Sequence, residues 1–153
     1  MKRSVLLLVA AVFALLMVSG VAIARTVYCD GGKCRGTNSN DTMYGTGGRD
    51  TINTLMGADL ARGYARGDTL NGDGGRDRLS GGKGDDEVNG GDRDDVVIGN
   101  DGVDRLNAGN GDDRVEAADG NFDAISCGSG RHDIVVFDRG LDSLSKCEIK
   151  RRR

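Results

Sequence analysis

Gly72-Asp-Gly-Gly-Arg-Asp-Arg-Leu-Ser80 is followed without a gap by Gly81-Gly-Lys-Gly-Asp-Asp-Glu-Val-Asn89. Laid over one another, the two strings agree at a Gly in the first and fourth places, an Asp in the sixth and an apolar residue in the eighth. The Asp recurs at nine-residue intervals as Asp41, Asp50, Asp59, Asp68, Asp77, Asp86, Asp95, Asp104 and Asp113. Two residues after each comes Met43, Ile52, Ala61, Leu70, Leu79, Val88, Val97, Leu106 or Val115, so one apolar place keeps the same phase. Asp123, Asp133 and Asp142 continue the series, with Ile125, Val135 and Leu144 two residues on, after single-residue insertions in the tenth and eleventh units. Twelve units therefore run over residues 36–145.

A fixed period of this kind marks a repeat architecture in which each unit buries its apolar face only by stacking on its neighbours. The Gly-rich part of each unit reads as a tight turn. The last three residues read as a short strand whose middle side chain points inward and whose neighbours point out. Two units make one coil, so turns alternate between two sides and each stacks on the unit eighteen residues away. The fold expected is all-β: a parallel β-roll or β-helix solenoid with two repeats per coil. Asp68 should then lie opposite Asp86 and Asp104 on one side, and Asp77 opposite Asp95 and Asp113 on the other, at the roughly 4.8 Å spacing of stacked strands. A column of bare carboxylates that close repels itself by roughly 1 kcal/mol per pair even in water-like surroundings. The column calls for a cation.

Residues 81–89 fit G-G-x-G-x-D-x-U-x, with U apolar, at every fixed place, and in this the chain resembles the RTX, or hemolysin-type, calcium-binding nonapeptide repeats. The resemblance implies Ca2+ held between stacked turns, with carboxylates from Asp68, Asp77, Asp86, Asp95, Asp104 and Asp113. It also implies that turn carbonyls complete the shell, here from Gly72, Gly74, Gly81, Lys83, Gly90, Asp92, Gly99 and Asp101. Calcium suits such a site because it is a hard ion that accepts six to eight oxygens without rigid geometry. Leu55 and Met56 in the third turn, Tyr64 and Arg66 in the fourth and Arg93 in the seventh depart from the pattern, so the N-terminal half is expected to be calcium-poor.

Twenty-six Gly with no Pro or Trp in 153 residues is a poor recipe for an ordinary core. The inward stripe of twelve apolar residues is thin enough that calcium binding is expected to be coupled to folding. Lys2 and Arg3, the apolar run from Val5 to Val18 and Ala22-Ile23-Ala24 read as a secretory signal over residues 1–24, ahead of its rival, an uncleaved membrane anchor. No lipid-attachment context surrounds Cys29. Removal of the signal takes two of 21 basic groups and none of 24 acidic ones, which leaves 19 − 24 = −5. The destination expected is extracellular, either free or associated with the cell surface, with no stable membrane span after cleavage.

Four cysteines lie at the two ends of the array. Cys29 and Cys34 frame a hairpin within an N-terminal cap over residues 25–35, and Cys127 and Cys147 sit one coil apart on the same side. Three pairings are formally possible. Disulfides are expected over a soft-metal site, because such sites favour C-x-x-C pairs or a supporting His and the secretory signal points to an oxidising compartment. Residues 146–153 make a C-terminal cap and a basic tail, Lys150 to Arg153, in which nothing points to nucleic acid.

His132, the lone His, lacks a nucleophile in a recognisable context and reads as a surface residue. Asp119-x-Asn121-x-Asp123 opens like an EF-hand, but Ala124 and Gly130 stand where Gly and Glu are needed. Thr51, Asn53, Thr69, Asn71, Asn89 and Asn107 share one outward face, too mixed for an ice-binding ladder. The expectation is a secreted, non-enzymatic calcium binder. Its alternative is an adhesin or ligand-binding scaffold in which calcium is only structural. A protein or polysaccharide partner is not specified, and the toxin activity of longer relatives is not carried over.

Overall fold

The computed structural model describes residues 24–152, with side chains as far as Glu148. The expected signal over residues 1–24 lies almost wholly outside the described residues, as do the side chains of the basic tail. Among the described residues there is no helix at all, and none therefore long and apolar enough to cross a membrane.

The chain winds into a β-solenoid of about seven turns, a β-roll built of two parallel sheets. One sheet stacks Thr26–Tyr28, Thr42–Tyr44, Leu60–Ala65, Arg78–Lys83, Val96–Asp101, Arg114–Glu116, Ile134–Phe137 and Ile149–Arg152. The other stacks Lys33–Arg35, Thr51–Asn53, Thr69–Asn71, Glu87–Asp92, Arg105–Asn110, Ala124–Ser126 and Ser143–Ser145. The two-residue strands Met56–Gly57 and Gly74–Gly75 pair beside this second column.

Register follows the repeat. Thr69 pairs with Glu87 and Glu87 with Arg105, eighteen residues apart each time. The inserted residues in units ten and eleven lengthen the step without breaking it: Arg105 pairs with Ala124 and Arg114 with Ile134. Because a β side chain alternates faces with period two, the whole apolar column stays inward only if this phase holds.

Several strands are longer than the three residues the repeat suggests. Arg78–Lys83, for example, runs on through the first three places of the next unit. The consequence is a third inward column. Asp, the apolar residue two places on and the first residue of the next unit all face the interior, as the buried trio Asp77, Leu79 and Gly81 illustrates. In that third column Thr54, Ala108, Ala117, Cys127 and Phe137 replace Gly and are buried, so the core is wider than a single stripe. It continues from Cys34 at one end to Phe137 at the other, with Leu144 only partly covered.

Both ends are stapled, by Cys29–Cys34 across five residues and Cys127–Cys147 across twenty. Outside the N-terminal coils, Tyr28 stacks on Tyr44 at 5.3 Å between ring centroids, and Tyr44 on Tyr64 at 6.3 Å. Asn71 donates its side-chain N–H to Asn53 and Asn89 to Asn71, which consumes the amides of the mixed outward face in a ladder of their own.

Candidate metal centre

Each repeat Asp stands immediately before a strand, and its backbone N–H points along the solenoid axis toward the coil above. That N–H donates to Oδ1 of the Asp one coil on: Asp59 to Asp77, Asp77 to Asp95 and Asp95 to Asp113 at 2.9, 2.7 and 2.8 Å. On the other side Asp50 donates to Asp68, Asp68 to Asp86 and Asp86 to Asp104 at 2.8, 2.7 and 2.8 Å. Two unbroken ladders result, with the facing partners that the eighteen-residue parity requires. Turn capping, the ordinary use of Asp in a Gly-rich loop, thus accounts for one oxygen of each carboxylate.

It leaves the other. Oδ2 of Asp59, Asp68, Asp77, Asp86, Asp95, Asp104, Asp113, Asp123 and Asp133 is buried and has no hydrogen-bond partner. Buried polar atoms are nearly always satisfied, and a carboxylate oxygen left alone costs more than a neutral one. Nine in the same structural place point to something supplied from outside.

The first-place glycines show where it would sit. A Cβ added to Gly72 would lie 2.6 Å from Asp77 Oδ2 and against the carbonyl oxygen of Gly90. One added to Gly90 would lie 2.7 Å from Asp95 Oδ2 and against the carbonyl of Ala108. At these places Gly is needed for room; the second and fourth places need it for backbone shape, with Gly82 at φ 125° and Gly84 at φ 112°. Leu55, Tyr64, Arg66 and Arg93 hold positive φ in the same second or fourth places, so the irregular turns keep the regular backbone at the expense of strain.

Burial is the main cause of abnormal acidity in the ladder. It raises Asp77, Asp86, Asp95, Asp104 and Asp123 from the usual carboxylate range to about 7, and Asp68 and Asp113 to about 6. The hydrogen bond from the preceding rung opposes the rise, and the neighbouring carboxylates add to it. A divalent cation beside such oxygens removes both the desolvation and the repulsion. The donors are all hard oxygen, which suits calcium. Among the described residues no three His, Cys, Asp or Glu side chains gather closely enough to hold a metal by themselves, so main-chain carbonyls are needed.

The structure brings the carbonyls of Gly81 and Gly90 to the carboxylates of Asp68 and Asp77, and places Gly99 against Asp104. Gly72 has its carbonyl turned to the Thr54 hydroxyl, which donates to it at 2.9 Å. Gly74, Lys83, Asp92 and Asp101 line the outer rim of the turns; the last three are exposed, and the Asp101 carbonyl accepts the N–H of Gly84. Asp59, Asp123 and Asp133, outside the expected set, share the unpartnered oxygen. Their phase in the repeat was the available signal, masked by irregular turns around them.

Residues 35–65, 62–92 and 89–121 match the family model described as RTX calcium-binding nonapeptide repeat (4 copies). No curated protein and no solved structure matches the chain. The matched residues, 35–121, span more than half of the chain and hold the core of both carboxylate ladders. The chain belongs to the RTX calcium-binding nonapeptide repeat family.

Proposed function

We propose that this is a secreted, non-enzymatic β-roll that binds calcium ions between stacked turns and folds fully only when it does so. The observation that carries this reading is the row of buried, unpartnered Oδ2 atoms, which from Asp68 to Asp104 each lie beside a glycine whose missing side chain leaves room. Asp68, Asp77, Asp86, Asp95, Asp104 and Asp113 would supply carboxylates, and first-place carbonyls such as those of Gly81 and Gly90 would join them. Calcium contributes positive charge and an adaptable oxygen shell. The chain contributes the spacing, the exclusion of water and the Oδ1 hydrogen bonds that hold each carboxylate in place.

Coupling to folding follows from electrostatics. Without the cation, each rung from Asp68 to Asp113 adds a buried charge whose only hydrogen-bond donor is one backbone N–H, and a buried charge without compensation opposes burial strongly. A ligand that binds the fold and not the open chain shifts the balance by mass action. Two disulfides suit export to an oxidising compartment. The non-enzymatic reading is supported by the use of residues 36–145 as repeats and by His132, whose exposed ring is occupied with Asp112.

Calorimetric titration of the purified chain with calcium, alongside Asp86→Ala and Asp95→Ala, tests the binding, and far-UV circular dichroism with and without EGTA tests the coupling. Binding heat that weakens in both variants and sheet signal that falls in EGTA are the expected results. Absence of heat in the unaltered chain would end the calcium reading, and equal sheet signal in EGTA would end the coupling.

A further inference from the structure

Three rungs of the ladders have no unpartnered oxygen: Asp142 at the C-terminal end, where Oδ1 accepts the Asp123 N–H and Oδ2 the Asp138 N–H, and, at the N-terminal end, Asp41 and Asp50. Asp41 takes hydrogen bonds on Oδ1 from the Arg25 N–H at 2.8 Å, and on Oδ2 from the Thr37 N–H at 2.5 Å and the Thr37 hydroxyl at 2.9 Å. Asp50 repeats the arrangement with the Gly32 N–H at 3.0 Å and the N–H and hydroxyl of Thr46 at 2.6 and 2.9 Å. Each threonine oxygen is itself positioned by an N–H two residues on, from Ser39 or Gly48. Three donors meet each of these carboxylates, where Asp95 has one.

The backbone changes with the side chain. In units three to nine the second residue of the turn, Leu55, Tyr64, Asp73, Gly82, Gly91, Asn100 or Gly109, has positive φ; Thr37 and Thr46 occupy that place without it. Their amides consequently turn toward the carboxylate, so the position that would hold a cation presents N–H and O–H donors instead. In the third unit Thr54 fills the first-glycine column and gives its hydroxyl to the Gly72 carbonyl. All three threonines lie in the coils adjoining the Cys29–Cys34 staple.

Resting on the reading of the later rungs as calcium sites, we infer that the first two units and their stapled cap form a calcium-independent nucleus, in which threonine donors do for Asp41 and Asp50 what the ion does for later rungs. A solenoid grows by nearest-neighbour stacking, and its first coil is the hardest to form because no edge yet exists to stack on. A nucleus that needs no ion supplies that edge. Calcium then adds coils in order from the N-terminal end, Asp59 and Asp68 first.

Hydrogen exchange of the purified full chain, followed by mass spectrometry in EGTA and in saturating calcium, reads this directly. In EGTA, amides within residues 26–54 should exchange at least tenfold more slowly than those within 68–113, and calcium should slow the second group. Fast exchange of both groups in EGTA, with calcium protecting them together, overturns the nucleus while leaving the calcium reading intact. Exchange identical with and without calcium throughout overturns both.

Thr46→Gly restores the family pattern and uncovers the cradle beside Gly45, where a Cβ would lie 2.9 Å from Asp50 Oδ2 and against the Gly63 carbonyl. It should lose protection of residues 26–54 in EGTA and bind one more calcium ion by calorimetry, with residues 68–113 protected normally in calcium as proof that it folds. Thr46→Val, which keeps the bulk without the hydroxyl, should lose the EGTA protection and gain no ion. Unaltered protection in both variants would overturn the proposal.

Discussion

The first two rungs and the middle six are built from the same Asp in the same register, yet they solve the same problem in opposite ways. Burial works to raise the pKa of Asp50, but hydrogen bonds from Gly32 and from the Thr46 amide and hydroxyl outweigh it and hold the carboxyl below its ordinary value. In Asp95 deeper burial, joined by the charges of Asp77, Asp113 and Asp94, meets one backbone donor and prevails, to about 7. The difference in donors comes from the second residue of the turn. A residue that tolerates positive φ turns its amide away and leaves the carboxylate open, whereas Thr with ordinary φ closes it. In units one to nine, one backbone dihedral thus separates a self-contained rung from one that waits for an ion.

The sharpest way to break this comparison is to remove one carboxylate from each region. Asp95→Ala deletes a charge-accepting rung, a loss of about 1.5–3 kcal/mol in hydrogen bonding, together with an oxygen offered to the ion. Calcium affinity measured by titration should fall at least tenfold. Asp50→Ala removes a hydrogen-bonded carboxylate of the same kind and should lower the midpoint of thermal unfolding in calcium by a similar stability increment, with ion stoichiometry unchanged. Equal loss of calcium binding in the two variants would erase the distinction between the regions.

Acid should sharpen it. The folded-state pKa values of Asp68, Asp77, Asp86, Asp95, Asp104 and Asp113 are raised above their ordinary value to about 6 or 7, so the fold binds protons more tightly than the open chain. The electrostatic penalty of folding without calcium is absent below about pH 4 and complete above about pH 7. In EGTA, sheet content by circular dichroism should therefore rise as pH falls through 7 toward 5, with protons partly replacing calcium. The first two rungs contribute the opposite slope through Asp50, whose lowered value favours the folded state once the carboxyl is ionised. A flat profile in EGTA would contradict the burial argument.

The smallest effect belongs to His132, whose ring meets Asp112 at 3.2 Å on an exposed turn. Exposed pairs contribute little. His132→Ala should move the unfolding midpoint in calcium by less than the equivalent of about 0.5 kcal/mol, and a larger shift would mean that the turn holding it carries weight in the C-terminal coils.

Most of the fold was legible because the repeat carries its own geometry. A period of nine with one inward apolar place leaves little choice but a two-unit coil, and the insertions in units ten and eleven reappear as longer register steps at Arg105–Ala124 and Arg114–Ile134. What the period cannot display is local. The inward facing of the first place, visible in buried Thr54 and Ala108, depends on strands that continue past the unit boundary. Nor does the repeat distinguish Thr37 and Thr46 from other departures, since their effect lies in how a hydroxyl and an amide converge on one oxygen. The irregular residues Leu55, Tyr64 and Arg93 looked disruptive, yet the turns around them retain the shape that glycine would give.

The tyrosine stack has a practical consequence. The chain contains three tyrosines and no tryptophan, and all three stand in one column over the N-terminal coils. Near-ultraviolet absorption, emission and dichroism from tyrosine therefore report on that end alone, while the middle of the roll is optically silent. The protein carries a built-in probe at the end where its winding would begin, and its signal can be followed during a calcium jump without attaching any label.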